Sequence, residues 1–114
     1  MTATGTSTII NLFAAQTTDT TTNAVVMPFN TGVVTIWGTW NGATVKLQTA
    51  VPGSTSTFVD VMDMNGNTAL FNAGGTNTDV QVTITDMIYD KLIRAVIANS
   101  GASTNLNATI ERLA

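Results

Sequence analysis

The chain contains no cysteine and no histidine, which removes disulfide scaffolds, zinc sites built on those side chains, cysteine nucleophiles and all histidine acid–base catalysis. Charge is scarce as well: Lys46, Lys91, Arg94 and Arg112 stand against seven acids, charged residues make up 10% of the 114 positions, and the net charge is −3. Four scattered cations offer nothing to a phosphate backbone, so no nucleic-acid partner is expected. No apolar run approaches the roughly 20 residues of a membrane-spanning helix. Met1 to Gln16 lack a basic segment ahead of the apolar stretch Ile9–Ala15, so no secretory leader is expected. Without one, the sequon Asn107-Ala108-Thr109 reads as chance.

What is present is a composition for packing. Hydrophobic residues reach 44%, ordinary for a folded domain, and the length suits a single one. Threonine and asparagine together fill roughly three positions in ten, well above common usage. Short β-branched segments recur between Gly, Asn, Pro and Ser clusters at the spacing of an all-β sandwich or barrel. The strand candidates are Thr8–Ala15, Ala24–Phe29, Gly32–Trp40, Ala43–Ala50, Thr57–Met62, Thr68–Asn72, Asp79–Thr85, Lys91–Asn99 and Asn105–Leu113. In one of them Val80, Val82 and Ile84 alternate with Gln81, Thr83 and Thr85, the pattern of a half-buried strand. Thr17–Thr22, with Asp19, reads as a polar loop.

One segment carries two signals. Tyr89, Leu92, Ile93, Val96 and Ile97 recur at helical spacing between a candidate N-cap, Asp86, and a candidate terminal glycine, Gly101. Its β-branched content favours a strand instead.

Trp40-Asn41-Gly42-Ala43 is the clearest local geometry, because Asn-Gly supplies the two positive-φ residues of a type I′ hairpin turn. Such a hairpin sets Trp40 opposite Ala43, Gly38 opposite Val45 and Ile36 opposite Leu47 on an apolar face. Thr39/Thr44, Trp37/Lys46 and Thr35/Gln48 then form the polar face. Ile36, Trp40, Val45 and Leu47 become core anchors, while Trp37 points outward with the Lys46 stem beside it. An outward tryptophan on a polar face serves as an interface anchor, a sugar-stacking platform, or a site for a covering loop of its own chain.

The other candidates reduce to structure. Asp60 with Asp63, and Asp86 with Asp90, are the carboxylate pairs that could do acid–base work, but neither has a supporting cast and both read as solvated strand-end aspartates. Asp63-Met64-Asn65-Gly66-Asn67 has a fragment of a calcium loop without its terminal bidentate Glu, and Asn65-Gly66 is an ordinary hairpin turn. Gly74-Gly75 lacks the strand-to-helix setting of a phosphate cradle and reads as a turn. Met62, Met64 and Met87 read as core filler. No cofactor and no metal is expected. Residues 1–8 are polar and without core side chains, an arm that a partner would hold, with Thr2, Thr4 and Thr6 as contact candidates.

Gly38-Thr-Trp-Asn-Gly-Ala-Thr-Val-Lys-Leu-Gln48, then Pro52-Gly53 and Phe58-Val59-Asp60-Val61, and finally Ile93-Arg-Ala-Val96 with Gly101-Ala-Ser-Thr-Asn-Leu-Asn-Ala108, resemble a pattern found in small bacteriophage virion structural proteins. That pattern has a GTWxGATVxLQ hairpin, a central PxG segment and a closing hairpin. The likeness spans roughly residues 32–110. Where the pattern has Tyr-Ile-Arg-Ala-Val, this chain has Lys91-Leu92-Ile93-Arg94, with Tyr89 displaced and Asp86 to Asp90 inserted. The resemblance implies an antiparallel β-sandwich over residues 9–114, jelly-roll-like, with eight or nine strands and Lys91–Asn99 among them.

It also implies a non-enzymatic role as a head decoration or cement protein on the outer capsid surface, made in the host bacterial cytoplasm. Its partners would be the phage major capsid protein and copies of itself as a homo-oligomer, with neither nucleic acid nor membrane. Trp37, Lys46 and the arm are then the interface candidates. A tail-fibre or receptor-binding module, with Trp37 on a host glycan, is the rival reading; a small hydrolase using Asp60 or Asp63 is the third.

Overall fold

The computed structural model describes residues 9–27, 32–61, 70–84 and 92–112. Every regular element among them is a strand: β1 (Ile9–Gln16), β2 (Thr20–Thr21), β3 (Val25–Val26), β4 (Gly32–Thr39), β5 (Thr44–Ala50), β6 (Phe58–Asp60), β7 (Leu70–Phe71), β8 (Val80–Ile84), β9 (Leu92–Ala98) and β10 (Asn105–Arg112). They form an antiparallel β-sandwich. One sheet runs β1-β10-β4-β8; the other runs β2-β9-β5-β6, with β3 also on β9 and β7 also on β5. Since β5 takes one edge of β9, β2 and β3 share its other edge, against Val96–Ile97 and Leu92–Ile93. By the same logic β6 and β7 share the outer edge of β5. The ten segments therefore occupy eight positions, four in each sheet.

Alternation decides which side chains lie between the sheets. Val34 and Ile36 of β4, Val45 and Leu47 of β5, Ile93, Ala95 and Ile97 of β9, and Leu106, Ala108 and Ile110 of β10 are all buried in one cluster with Trp40 and Met27. The four expected core anchors, Ile36, Trp40, Val45 and Leu47, all belong to it. Val80 and Val82 pack on its margin while Gln81 and Thr83 face solvent. The ambiguous segment resolves as strand β9, whose inward residues Ile93, Ala95 and Ile97 follow a period of two.

The Asn-Gly turn forms as its sequence dictates. Asn41 and Gly42 have φ of 47° and 86°, and the Ala43 N–H donates to the Trp40 carbonyl at 2.9 Å. The hairpin ladder built on it does not form. Thr39, Trp37 and Thr35 pair with Asn105, Asn107 and Thr109 of β10, whereas Thr44, Lys46 and Gln48 pair with Ala98, Val96 and Arg94 of β9. The turn is an arch that carries the chain from one sheet to the other. Both edges of β4 are taken by β10 and β8, and both edges of β5 by β9 and the β6/β7 pair, so neither strand has an edge for the other. The closing segment β9–β10 is likewise an arch between sheets and not a hairpin. Thr17–Thr22 is also more than a loop, because Thr20–Thr21 pairs with β9.

Six connections pass between the sheets: the register puts β1–β2, β4–β5, β7–β8 and β9–β10 together at one end, while β3–β4 and β8–β9 join strand ends at the other. Gly38, one residue pair before the β4–β5 arch, has φ of 129°, and a Cβ there would collide with the Asn105 carbonyl oxygen. That contact requires glycine on both counts. Trp40 then turns into the interior at 1% exposure. Trp40→Ala is expected to cost about 3–5 kcal/mol, read from urea unfolding monitored by circular dichroism; a loss below about 1 kcal/mol would remove Trp40 from its place in the core.

Candidate functional site

Three surfaces carry the polar side chains. The outward face of the β1-β10-β4-β8 sheet is the first. Trp37 lies near its centre at 38% exposure, directly opposite Asn107 and between Thr35 and Thr39 along β4. Asn105 and Thr109 lie diagonally on β10. Around the indole along β4 and β10 are hydroxyl and carboxamide groups; Glu111 stands four positions along β10 from Asn107, and Asp79, just before β8, accepts the N–H of Gly38 next to Trp37. Several of these groups are already tied to the fold. The Gln81 Nε2 donates to Thr35 Oγ1 at 3.0 Å, and Asn107 Oδ1 accepts the Ala15 N–H at 3.0 Å, where β1 breaks register and Ala15 takes φ of 49°. The sequon asparagine is thus a patch over a β-bulge.

Lys46 does not stand beside Trp37. It lies on the outward face of the opposite sheet, since its partners are Val96 and Leu70. There the charged side chains gather. Arg94 stacks its guanidinium 3.9 Å from the Phe58 ring centroid and donates Nε–H to Gln48 Oε1 at 2.9 Å. Gln48 Nε2 donates to Asp60 Oδ1 at 3.0 Å, and Lys46 Nζ lies 3.2 Å from the same carboxylate. This chain of side chains crosses β9, β5 and β6. Its ion pair is partly exposed, so it aligns strands more than it adds stability.

The arch end is the third surface and was the least legible in sequence. Thr104, the one buried polar residue among those described, accepts the Gly101 N–H at 2.8 Å and donates its hydroxyl to the Trp40 carbonyl at 2.9 Å. Asn41 Oδ1 accepts the Ser103 N–H at 3.0 Å. From the other side Asn77 Oδ1 accepts the Gly42 N–H at 3.0 Å, and Asn72 Nδ2 donates to the Ala43 carbonyl at 2.7 Å. Asp79 Oδ1 accepts both the Gly38 N–H and the Trp40 indole N–H at 3.1 Å. Asn41, Asn72, Asn77 and Asn99 all have positive φ, a conformation asparagine tolerates better than most residues. Asparagine in the turns is the signal available in sequence for the backbone conformation, while its partners lie on other loops.

Comparison with protein-family models, curated proteins and solved structures finds no match to this chain. The reading of the sites therefore rests on their geometry. Among the described residues no three carboxylates come together as metal ligands, and Asp19, Asp60 and Asp79 each accept hydrogen bonds from their own chain. Asp63, Asp86, Asp90, the 63–67 segment, Met62, Met64, Met87, Tyr89, Lys91 and the arm with Thr2, Thr4 and Thr6 lie outside the described residues.

Asp19 sits on the β1–β2 connection and accepts the Ser100 N–H at 2.8 Å. The Ser100 hydroxyl and amide, with the Asn99 amide, hold its carboxyl below its ordinary value of 3.8. A lowered folded-state value means that the ionised form stabilises the fold above the unfolded pKa, and that this contribution is lost as pH falls through the folded value. Asp19→Asn is therefore expected to lower Tm at neutral pH, with the gap to wild type closing below 3.8. A gap that persists unchanged into acid would contradict the charged bond to Ser100.

Proposed function

We propose that this chain is a non-enzymatic structural protein of a bacteriophage virion that decorates the outer surface of the head shell and binds its neighbours through the Trp37 face. The observation that carries the reading is that face itself: a half-exposed tryptophan set among threonine, asparagine and glutamine. Aromatic anchors ringed by uncharged polar groups suit a protein interface, because an indole buries a large apolar area with few rotamers to freeze and few charges need desolvation. The resemblance to small phage structural proteins adds the setting. So does strand order: four strands β1, β10, β4 and β8 stand over β2/β3, β9, β5 and β6/β7 and are joined pairwise at one end, an order we read as a jelly roll. That architecture recurs in viral capsid and lectin domains, and the step from it to a virion is an analogy of fold.

The mechanism is mass action. A protein that binds the assembled shell and not its separated subunits stabilises the shell by its binding free energy. The partner is the major capsid protein together with copies of this chain, and the lectin architecture keeps a glycan-binding tail module as the second reading, with the Trp37 ring stacked on a sugar.

Trp37→Ala separates face from fold. The isolated variant is expected to keep its thermal transition while its binding to particles weakens by about 2 kcal/mol or more, the size of an interface hot spot. Binding is read by co-sedimentation with particles stripped of the protein. A large fall in Tm would make Trp37 a packing residue, and unchanged particle binding together with loss of glycan-array signal would move the protein from shell to receptor contact.

A further inference from the structure

Asn-Gly is the dipeptide most prone to spontaneous cyclisation, because glycine has no side chain to shield the attacking backbone nitrogen. In that reaction the Gly42 nitrogen would attack Asn41 Cγ. A new N–Cγ bond forms, the Cγ–Nδ2 bond breaks, and ammonia leaves with the proton that the Gly42 nitrogen gives up. Water then opens the cyclic imide at either C–N bond, leaving aspartate or isoaspartate at position 41. The step needs no reagent but water, so only conformation protects the site.

We propose that Asn41-Gly42 is a latent deamidation site held closed by the folded arch end, with Asn77 and Ser103 as its two latches. Both reacting groups are held by partners from different loops. The Gly42 N–H donates to Asn77 Oδ1 at 3.0 Å, and Asn41 Oδ1 accepts the Ser103 N–H at 3.0 Å. The Asn41 side chain also lies against Gly101 so closely that a Cβ there would come within 2.8 Å of Asn41 Cγ. To reach the Gly42 nitrogen, Cγ must leave Ser103, and the nitrogen must give up Asn77. Asn77 is itself fixed, since its N–H donates to Asn72 Oδ1 at 2.7 Å and its Oδ1 also accepts from Asn72 Nδ2 at 3.2 Å. Reaction therefore proceeds through opening of the arch end and reports how often that end opens.

The outcome would be self-reinforcing. Deamidation adds a carboxylate to an end that already carries Asp19 and Asp79, and the isoaspartate product lengthens the backbone inside a two-residue turn. In a particle component that is not replaced after assembly, the latches would set a service life, but the chemistry stands whether or not the virion reading does.

The test follows conversion at Asn41 by peptide mass mapping of the full chain held in mildly alkaline buffer. Asn77→Gly keeps backbone freedom at φ of 57° and removes the carboxamide. With folding verified by its thermal transition, it is expected to convert about two to ten times faster than wild type, the change in opening expected from loss of the hydrogen bond that holds the Gly42 N–H. Wild type unfolded in urea is expected to convert faster than native wild type under the same buffer. An unchanged rate in folded Asn77→Gly, or equal rates for native and unfolded wild type, would overturn the proposal; if the variant fails to fold, the comparison in urea decides alone.

Discussion

The Thr104 hydroxyl, buried between two loops, is the contact on which the arch end depends. It joins the Trp40 carbonyl on the β4–β5 arch to the Gly101 amide on the β9–β10 arch, and those arches connect the two central strand pairs of the sandwich. Without cysteine, this sandwich has no covalent tie across its middle, where side chains of the two inner faces pack against each other. Relative placement of the sheets is therefore set where the chain crosses, and here four of the six crossings share one end. Around Thr104 the polar contacts radiate outward: Asn41 to Ser103, Asn77 and Asn72 to Gly42 and Ala43, Asp79 to Trp40, Asp19 to Ser100. Each satisfies a backbone or indole group that a tight turn leaves without a ladder partner.

This explains the composition better than a polar binding surface would. Asn41, Asn72, Asn77 and Asn99 serve the turns, as positive-φ residues that also bond to neighbouring segments, while threonine lines the strands, where its branched side chain fits a pleated sheet. Charge is divided unequally. Lys46 and Arg94 are absorbed with Gln48 and Asp60 on one sheet, whereas on the other Glu111 and Arg112 close β10 and the residues beside Trp37 on β4 and β10 are uncharged.

Nearly every strand was legible from alternation and turn residues, and so was the burial of Ile36, Trp40, Val45 and Leu47. Register was not. Val34 and Ile36 alternate in step with Val45 and Leu47, and that pattern turns the same residues inward whether the two strands pair side by side or face each other across an interior. Only the number of free strand edges separates hairpin from arch, and that is a property of the whole topology. Hence Trp37 and Lys46, neighbours on a hairpin, lie on opposite faces of the sandwich. Thr20–Thr21 escaped notice because two residues without apolar side chains carry no period. The arch-end contacts of Asn77, Asp79 and Thr104 were hidden for a related reason: each reaches a distant loop, such as Asn77 to Gly42 across 35 positions and Thr104 to Trp40 across 64.

The most direct test is the stability of Thr104→Val, which keeps shape and β-branching and deletes the hydroxyl. The account predicts a loss of about 1–3 kcal/mol in urea unfolding, because the half-buried Gly101 amide loses its acceptor and the Trp40 carbonyl keeps only the Ala43 N–H. A variant as stable as wild type, or more so, would contradict it, and would mean that apolar packing alone sets the two sheets in place.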